Sequence, residues 1–212
     1  ASPYPVSTTC DSIMLGWPQW LFAVWVVGIA VFAAVALRRH LRLRPLMAGS
    51  QPADATLANH VHQLAEHMGL TTCPPVLVTT ARIGPFVTPG IRPAIVLPSH
   101  LLAELTRSQV ESILAHELAH IRRGDHLART FEIIVLLLNW WNPIAWYACQ
   151  AFSEAQEQCC DAWVVWARPD CRREYGRTLA HTAELTQVAR PTTGAVPALF
   201  GNYQLSRRID MI

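Results

Sequence analysis

Residues 20–37 read WLFAVWVVGIAVFAAVAL, eighteen consecutive positions without a charged or strongly polar side chain. As a helix the run would extend about 27 Å at 1.5 Å per residue, close to the ~30 Å hydrocarbon core of a bilayer. RRHLRLR follows at once, putting Arg38, Arg39, Arg42 and Arg44 on one flank, while residues 1–19 carry no Lys or Arg. Because basic loops stay in the cytoplasm, the C-terminal side is expected inside and residues 1–19 outside. Trp17, Trp20 and Trp25 suit an interfacial aromatic belt at the outer end. A secretory signal would carry its positive charge ahead of the apolar run, so the run is expected to anchor the chain. The expected organisation is an extracytoplasmic segment 1–19, a transmembrane helix 20–37, a basic cytoplasmic linker 38–53 and a cytoplasmic domain 54–212.

Hydrophobic residues make up 51% of the chain and charged ones 15%, against about 25% charged in an ordinary soluble domain. Disordered tails, coiled coils and nucleic-acid-binding arms need far more charge, so no direct nucleic-acid contact is expected. The formal net charge of +2 is too small to attract a partner by itself. All the basic residues are Arg and none is Lys, a bias with no physical account here. Ala1 in place of an initiator Met suggests a fragment of a longer protein. The cysteines, Cys10, Cys73, Cys149, Cys159, Cys160 and Cys171, lack the paired short spacings of a structural zinc site and are expected to be reduced thiols.

After the anchor, residues 54–68 place Leu57, Val61, Leu64, Ala65 and Met68 at helical spacing, with Gly69 as a stop. The Pro- and Gly-broken stretch that follows predicts short strands over 76–80 and 94–97, both at sheet edges. Thr106 and Gln109 form a capping-box pattern that opens a helix to about Arg123. Gly124 can end that helix and Asp125 can cap the next. The class is α+β, mainly helical, with a small strand segment.

Within the predicted helix stands His116-Glu117-Leu118-Ala119-His120. Residues four apart share one face, so both imidazoles can reach a single zinc ion. Glu117, offset by one residue, can sit beside the metal and take a proton from the attacking water. Nine histidines and nine glutamates in such a chain would produce the pattern by chance about 0.02 times. Val110, Ile113, Leu114, Leu118 and Ile121 mark the helix as core-facing. Two histidines and a glutamate buried there without a partner would cost several kcal/mol.

A catalytic zinc needs a third protein ligand and an open position. His126, ten residues after His116, fits one such pattern, but that pattern wants Gly where Arg123 stands. Glu157 is favoured over His126 and Glu154, with Asp161 one turn later as the acceptor for a histidine N–H. Helix lengths support it. Residues 125–141 would carry the chain about 24 Å away, Asn142-Pro143 would break the helix, and Ile144 to Glu157 would bring it back about 20 Å. Residues 133–152 are apolar enough to suggest a second span, yet a single crossing would strand Glu157 on the wrong side of the membrane. An apolar helical hairpin, packed on the metal helix and dipping towards the bilayer surface, is expected instead. Trp140, Trp141 and Trp146 suit core or membrane contact equally well.

The set HELAHIRRGDHLAR, WWNPIAWY and EQCCDAWVV, preceded by GIRPAIVLP, resembles the BlaR/MecR-type integral membrane zinc peptidases of bacteria over roughly residues 55–212. The resemblance implies a gluzincin-type fold, zinc bound by His116, His120 and Glu157, Glu117 as general base and Asp161 in support. It also implies a bacterial cytoplasmic membrane location, with the peptidase domain in the cytoplasm, and a protein substrate: the chain itself or a transcriptional repressor. In the sensor members an external penicillin-binding domain triggers self-cleavage; the chain shows no S-x-x-K acylation region, so β-lactam sensing is not expected of this part. The substrate is expected to extend along strand 94–97 as an added strand, and Tyr147, Tyr175, His126, His181 and Tyr203 remain open as oxyanion donors. Two alternatives stand beside this reading. One is a quality-control membrane peptidase similar to Ste24 and HtpX; the other is a non-catalytic membrane signalling adaptor, which would have no need of Glu117.

Overall fold

A computed structural model describes residues 16–90 and 92–187. Most of the expected extracytoplasmic segment, together with Cys10 and Tyr203, lies outside the described residues. Helix α1 runs Trp17–Ala48. It continues through the arginines, so residues 38–48, expected as a linker, are helical. From Trp17 to Arg42 it is long and apolar enough to cross a membrane, and that stretch is not buried against the rest of the protein.

A short strand β1 (Gln51–Pro52) leads to α2 (Ala55–His67), where the Asp54 side chain accepts the Leu57 N–H and caps the helix. Strands β2 (Val76–Thr79), β3 (Phe86–Val87) and β4 (Ile95–Pro98) complete a four-stranded sheet of order β1-β2-β4-β3. β2 and β4 are parallel, Val76 beside Ile95, and β3 pairs antiparallel with β4, Phe86 beside Val96. The expectation that strands 76–80 and 94–97 are both edges is therefore corrected, since β2 lies between β1 and β4. β4 has a neighbour on each side and is buried throughout, which accounts for the unbroken apolar run Ile95-Val96-Leu97. The edge next to it is β3, too short and Pro-flanked to show a strand pattern in sequence.

Helix α3 (Ser99–Glu104) turns the chain into α4 (Arg107–Arg123). The expected capping box is present: Thr106 accepts from Gln109 N–H while the Gln109 side chain accepts from Thr106 N–H. Gly124 ends α4 at φ 73°, a left-handed position that residues with a Cβ adopt only with strain. Then follow α5 (Asp125–Leu138), α6 (Pro143–Ala167), a 3₁₀ turn (Pro169–Cys171) and α7 (Arg172–Gln187). Asn142 opens α6 by accepting the Ile144 N–H, with Pro143 in the first turn.

α4 is the central element. It packs chiefly on α6 and also touches α2, α5, α7 and β3. Its residues 112–119 are all buried, and Leu114, Ala115 and Leu118 join Val61, Ile95 and Val164 in one core. α6 runs antiparallel to it. At the far end Arg168 donates to Ser108 O at 2.6 Å and Ser112 Oγ at 3.0 Å, and pairs with Glu111 at 3.2 Å. That clamp fixes the register of the two helices at one end, leaving the other end for the histidines.

Leu118 has no exposed surface, so Leu118→Ala should lower stability by about 2–5 kcal/mol, whereas Thr106→Ala, which removes one cap, should cost about 1 kcal/mol. Denaturant unfolding of both variants in micelles measures the order; equal losses would mean that α4 is not the core.

Candidate metal centre

His116 and His120 lie one turn apart on the buried face of α4, their rings 4.8 Å apart and nearly perpendicular. Their Nε2 atoms face each other at 3.2 Å. α6 brings Glu157 between them, Oε2 3.5 Å from His116 Nε2 and Oε1 3.6 Å from His120 Nε2. The antiparallel return expected from the helix lengths is thus present, and one ligand atom from each residue lies within 4.8 Å of the others.

These distances suit a cation. Each Nδ1 faces a carboxylate and so carries the ring proton, which leaves both Nε2 lone pairs aimed at one point. At 3.5 and 3.6 Å the carboxylate is too far for good hydrogen bonds. A tetrahedral ion bonded at ~2.0–2.1 Å would set its ligands about 3.3–3.4 Å apart. The trio has the spacing of ligands around an ion rather than of hydrogen-bond partners.

Behind each histidine stands an acceptor. His116 Nδ1 donates towards Asp161 Oδ1 at 3.2 Å and the Tyr175 oxygen at 3.0 Å. The Tyr175 hydroxyl in turn donates to Asp161 at 2.6 Å. His120 Nδ1 donates to Asp125 Oδ2 at 2.8 Å. Asp125 also accepts from Gln156 Nε2 at 3.2 Å, Arg123 Nε at 3.4 Å and the Cys160 thiol at 3.5 Å. Burial alone would raise the Asp125 carboxyl; the hydrogen bond from His120, with Arg123 and Cys160, outweighs it and holds the group below the usual carboxylate value.

Two expectations are corrected here. Asp125 does not cap α5, whose N-terminus has no side-chain cap; the left-handed turn at Gly124 carries it back beneath His120. Tyr175, with 1% of its surface exposed, is engaged behind His116 and so is not placed as an oxyanion donor. The sequence reading also missed Gln156 and Cys160. A signal existed for Asp125, which directly follows the glycine that ends the histidine helix. None existed for Tyr175, which reaches the site from α7.

The remaining candidates are dispersed. Glu117 directly follows His116 in α4 and is buried. Glu154 accepts from Gln150 on its own helix, and neither it nor His126 belongs to a possible metal group among the described residues. Tyr147 is exposed on α6. His120, Asp125 and Cys160 also cluster closely enough to hold an ion, but the His120 proton already bridges to Asp125. Burial, with Asp125 and Glu157 nearby, drives the Cys160 thiol far above its ordinary value, so it remains a protonated donor.

The family model described as BlaR1 peptidase M56 matches residues 7–212. The chain is 28% identical over 146 residues to the regulatory protein BlaR1 of Bacillus licheniformis, covering 68% of this chain and 24% of that protein. It is 30% identical over 121 residues to a protease HtpX homolog of Bacillus subtilis, covering 52% and 41% respectively. With the methicillin resistance mecR1 protein of Staphylococcus aureus it shares 25% identity over 81 residues, 38% of this chain and 14% of that one. The chain thus spans less than half the length of each of these relatives. With a family match across nearly its whole length, and a helix apolar enough for a membrane beside a possible metal group, the chain belongs to the BlaR1-type M56 peptidase family.

Proposed function

We propose that this chain is the peptidase portion of a membrane-anchored zinc endopeptidase that makes regulated cuts in a signalling protein. The observation that carries the reading is the convergence of His116 Nε2, His120 Nε2 and Glu157 at the spacing of a tetrahedral ion's ligands. Residues 20–37 would cross the bacterial inner membrane with 1–19 outside, and the arginines after them would hold domain 54–212 in the cytoplasm.

His116, His120 and Glu157 would hold the zinc, which supplies a Lewis acid that makes water acidic and polarises a peptide carbonyl. Glu117 takes the proton from the water as its oxygen bonds the carbonyl carbon, then gives it to the amine as the C–N bond breaks. Asp161 with Tyr175, and Asp125 with Gln156, hold the two imidazoles in the tautomer whose Nε2 lone pairs face the metal position. β3, the edge strand beside α4, is where an extended substrate would add its own strand. The name of the Bacillus licheniformis relative, a regulatory protein, supports a substrate in signalling, either this protein itself or a transcriptional repressor. A second reading, a quality-control peptidase of the HtpX kind, is favoured by the 30% identity to the Bacillus subtilis homolog. Digestion of unrelated misfolded membrane proteins, with no single preferred cut, would select it. A non-catalytic adaptor is disfavoured by Glu117, which a purely structural site has no need to retain.

Glu117→Ala should abolish peptide cleavage while zinc content, read by atomic emission on the purified protein, stays at the wild-type level; normal cleavage would remove Glu117 as the base. Asp125→Ala should weaken zinc binding about 10- to 100-fold in competition with a chromogenic chelator. Unchanged affinity in that variant would mean that Asp125 does not support His120.

A further inference from the structure

The α5–α6 hairpin projects from the metal centre and lays its turn against the middle of α1. Trp25 Nε1 donates to Leu138 O at 3.0 Å, and Trp140 Nε1 donates to Trp25 O at 3.3 Å. Phe32 meets the Trp140 and Trp146 rings at 6.2 and 5.5 Å. The fit is close enough that a Cβ on Gly28 would stand 2.1 Å from Trp140. Trp25, Gly28 and Phe32 lie around the centre of the apolar run 20–37, so whatever touches them lies at mid-depth if that run spans the bilayer.

The hairpin is built for such a place. Residues 133–153 contain no Asp, Glu, Lys, Arg or His. Moving away from the turn, the first charges are Glu132 on α5, paired with Arg129 at 2.9 Å, and Glu154 on α6. At 1.5 Å per residue the α6 limb rises about 15 Å from Ile144 to Glu154, half the ~30 Å hydrocarbon thickness. The α5 limb rises about 9 Å from Leu138 to Glu132 and about 14 Å to Arg129. Glu132 is buried and paired with Arg129, whose longer side chain reaches towards the boundary. Irregular backbone survives in hydrocarbon only if its polar groups are paired inside the protein. At this turn the carbonyls of Val135, Leu138, Asn139, Trp140 and Asn142 each receive a donor. The outer face is apolar and open: Phe131, Ile134, Leu138, Trp141, Ile144 and Tyr147 are all exposed, the last two at 74%.

We infer that α5–α6 is a re-entrant membrane hairpin whose turn lies near the bilayer midplane, against α1 on one side and acyl chains on the other. This rests on the proposed crossing of the bilayer by α1. The hairpin enters and leaves on the same face, which keeps Glu157 on the side of His116 and His120. It also sets the height of the centre. From Ile144 to Glu157 α6 climbs about 20 Å, so the trio stands roughly 5 Å beyond the hydrocarbon boundary, among the headgroups. The bond cleaved must therefore be brought to the membrane surface, whether it lies in this protein itself or in a repressor that docks there.

Spin labels at positions 31, 104, 134 and 144 of the full chain in lipid nanodiscs test this through collision with oxygen, which concentrates in acyl chains, and with a water-soluble nickel chelate. The expected result is high oxygen and low chelate collision at 134 and 144, matching 31 on α1, with the reverse at Glu104. Lipid exposure at 31 but water exposure at 134 and 144 would overturn the hairpin and leave the anchor standing. Water exposure at 31 as well would overturn both. If replacing the native cysteines for labelling unfolds the protein, quenching by brominated lipids in the otherwise unaltered chain gives the same answer. The fluorescence lost in Trp141→Phe should be the part quenched most by bromines deep in the acyl chains and least by iodide; quenching by iodide instead would overturn the hairpin.

Discussion

Two imidazole nitrogens that both present lone pairs repel at 3.2 Å unless a proton or a cation lies between them. Much of the structure serves to hold them in that opposition. α4 is buried along its middle and cannot rotate its histidines away from each other. α6 is clamped to it by Arg168 at one end and presents Glu157 at the other. Each ring is locked from behind, through Asp161 with Tyr175 and through Asp125 with Gln156. Preorganisation of this kind lets binding energy hold an ion in place rather than order its ligands.

The supports behind the two histidines differ. His116 is backed by a carboxylate and a phenol on α6 and α7, buried in the core. His120 is backed by a carboxylate on the next helix of the chain, reached through a left-handed glycine and shared with an arginine and a thiol. Both carboxylates fix the orientation and tautomer of the ring they face, but Asp125 also links the centre to the start of α5. Its helix runs from the metal trio to the turn packed on α1.

Much of this was legible in the sequence, and the failures have physical reasons. The apolar run, the capping box at Thr106, the glycine stop at Gly124 and the one-face spacing of His116 and His120 are local patterns, and the structure has each of them. The approach of Glu157, suggested by its one-turn spacing from Asp161, was supported by helix length, because rise per residue and a Pro break bring an antiparallel return to the right height. Besides Gln156 and Cys160, three features were lost. β3 is two residues long and exists only because β4 offers it an edge, so β4 was mistaken for the edge itself. Asp125 follows a helix-ending glycine, where capping is the commonest local use, and the tertiary turn overrode it. Tyr175 lies far along the chain from His116 and meets it only after α7 folds back, which no periodicity reports.

The apolar hairpin shows why composition alone cannot decide between a span and a loop in lipid. Residues 133–152 pass a length test for crossing a bilayer, yet Asn139 and Asn142 sit at the centre of the run, where a straight helix in hydrocarbon tolerates them poorly. Here they are used up locally: the Asn139 amide donates back to Val135 O and Asn142 accepts the Ile144 N–H. The two indole donors of Trp25 and Trp140 close the gap between the turn and α1. Polar side chains that would penalise a crossing instead allow a reversal. Because α6 is continuous from that reversal through Glu157 to Asp161, the depth of the turn and the height of the metal trio are one variable, set by the length of a single helix.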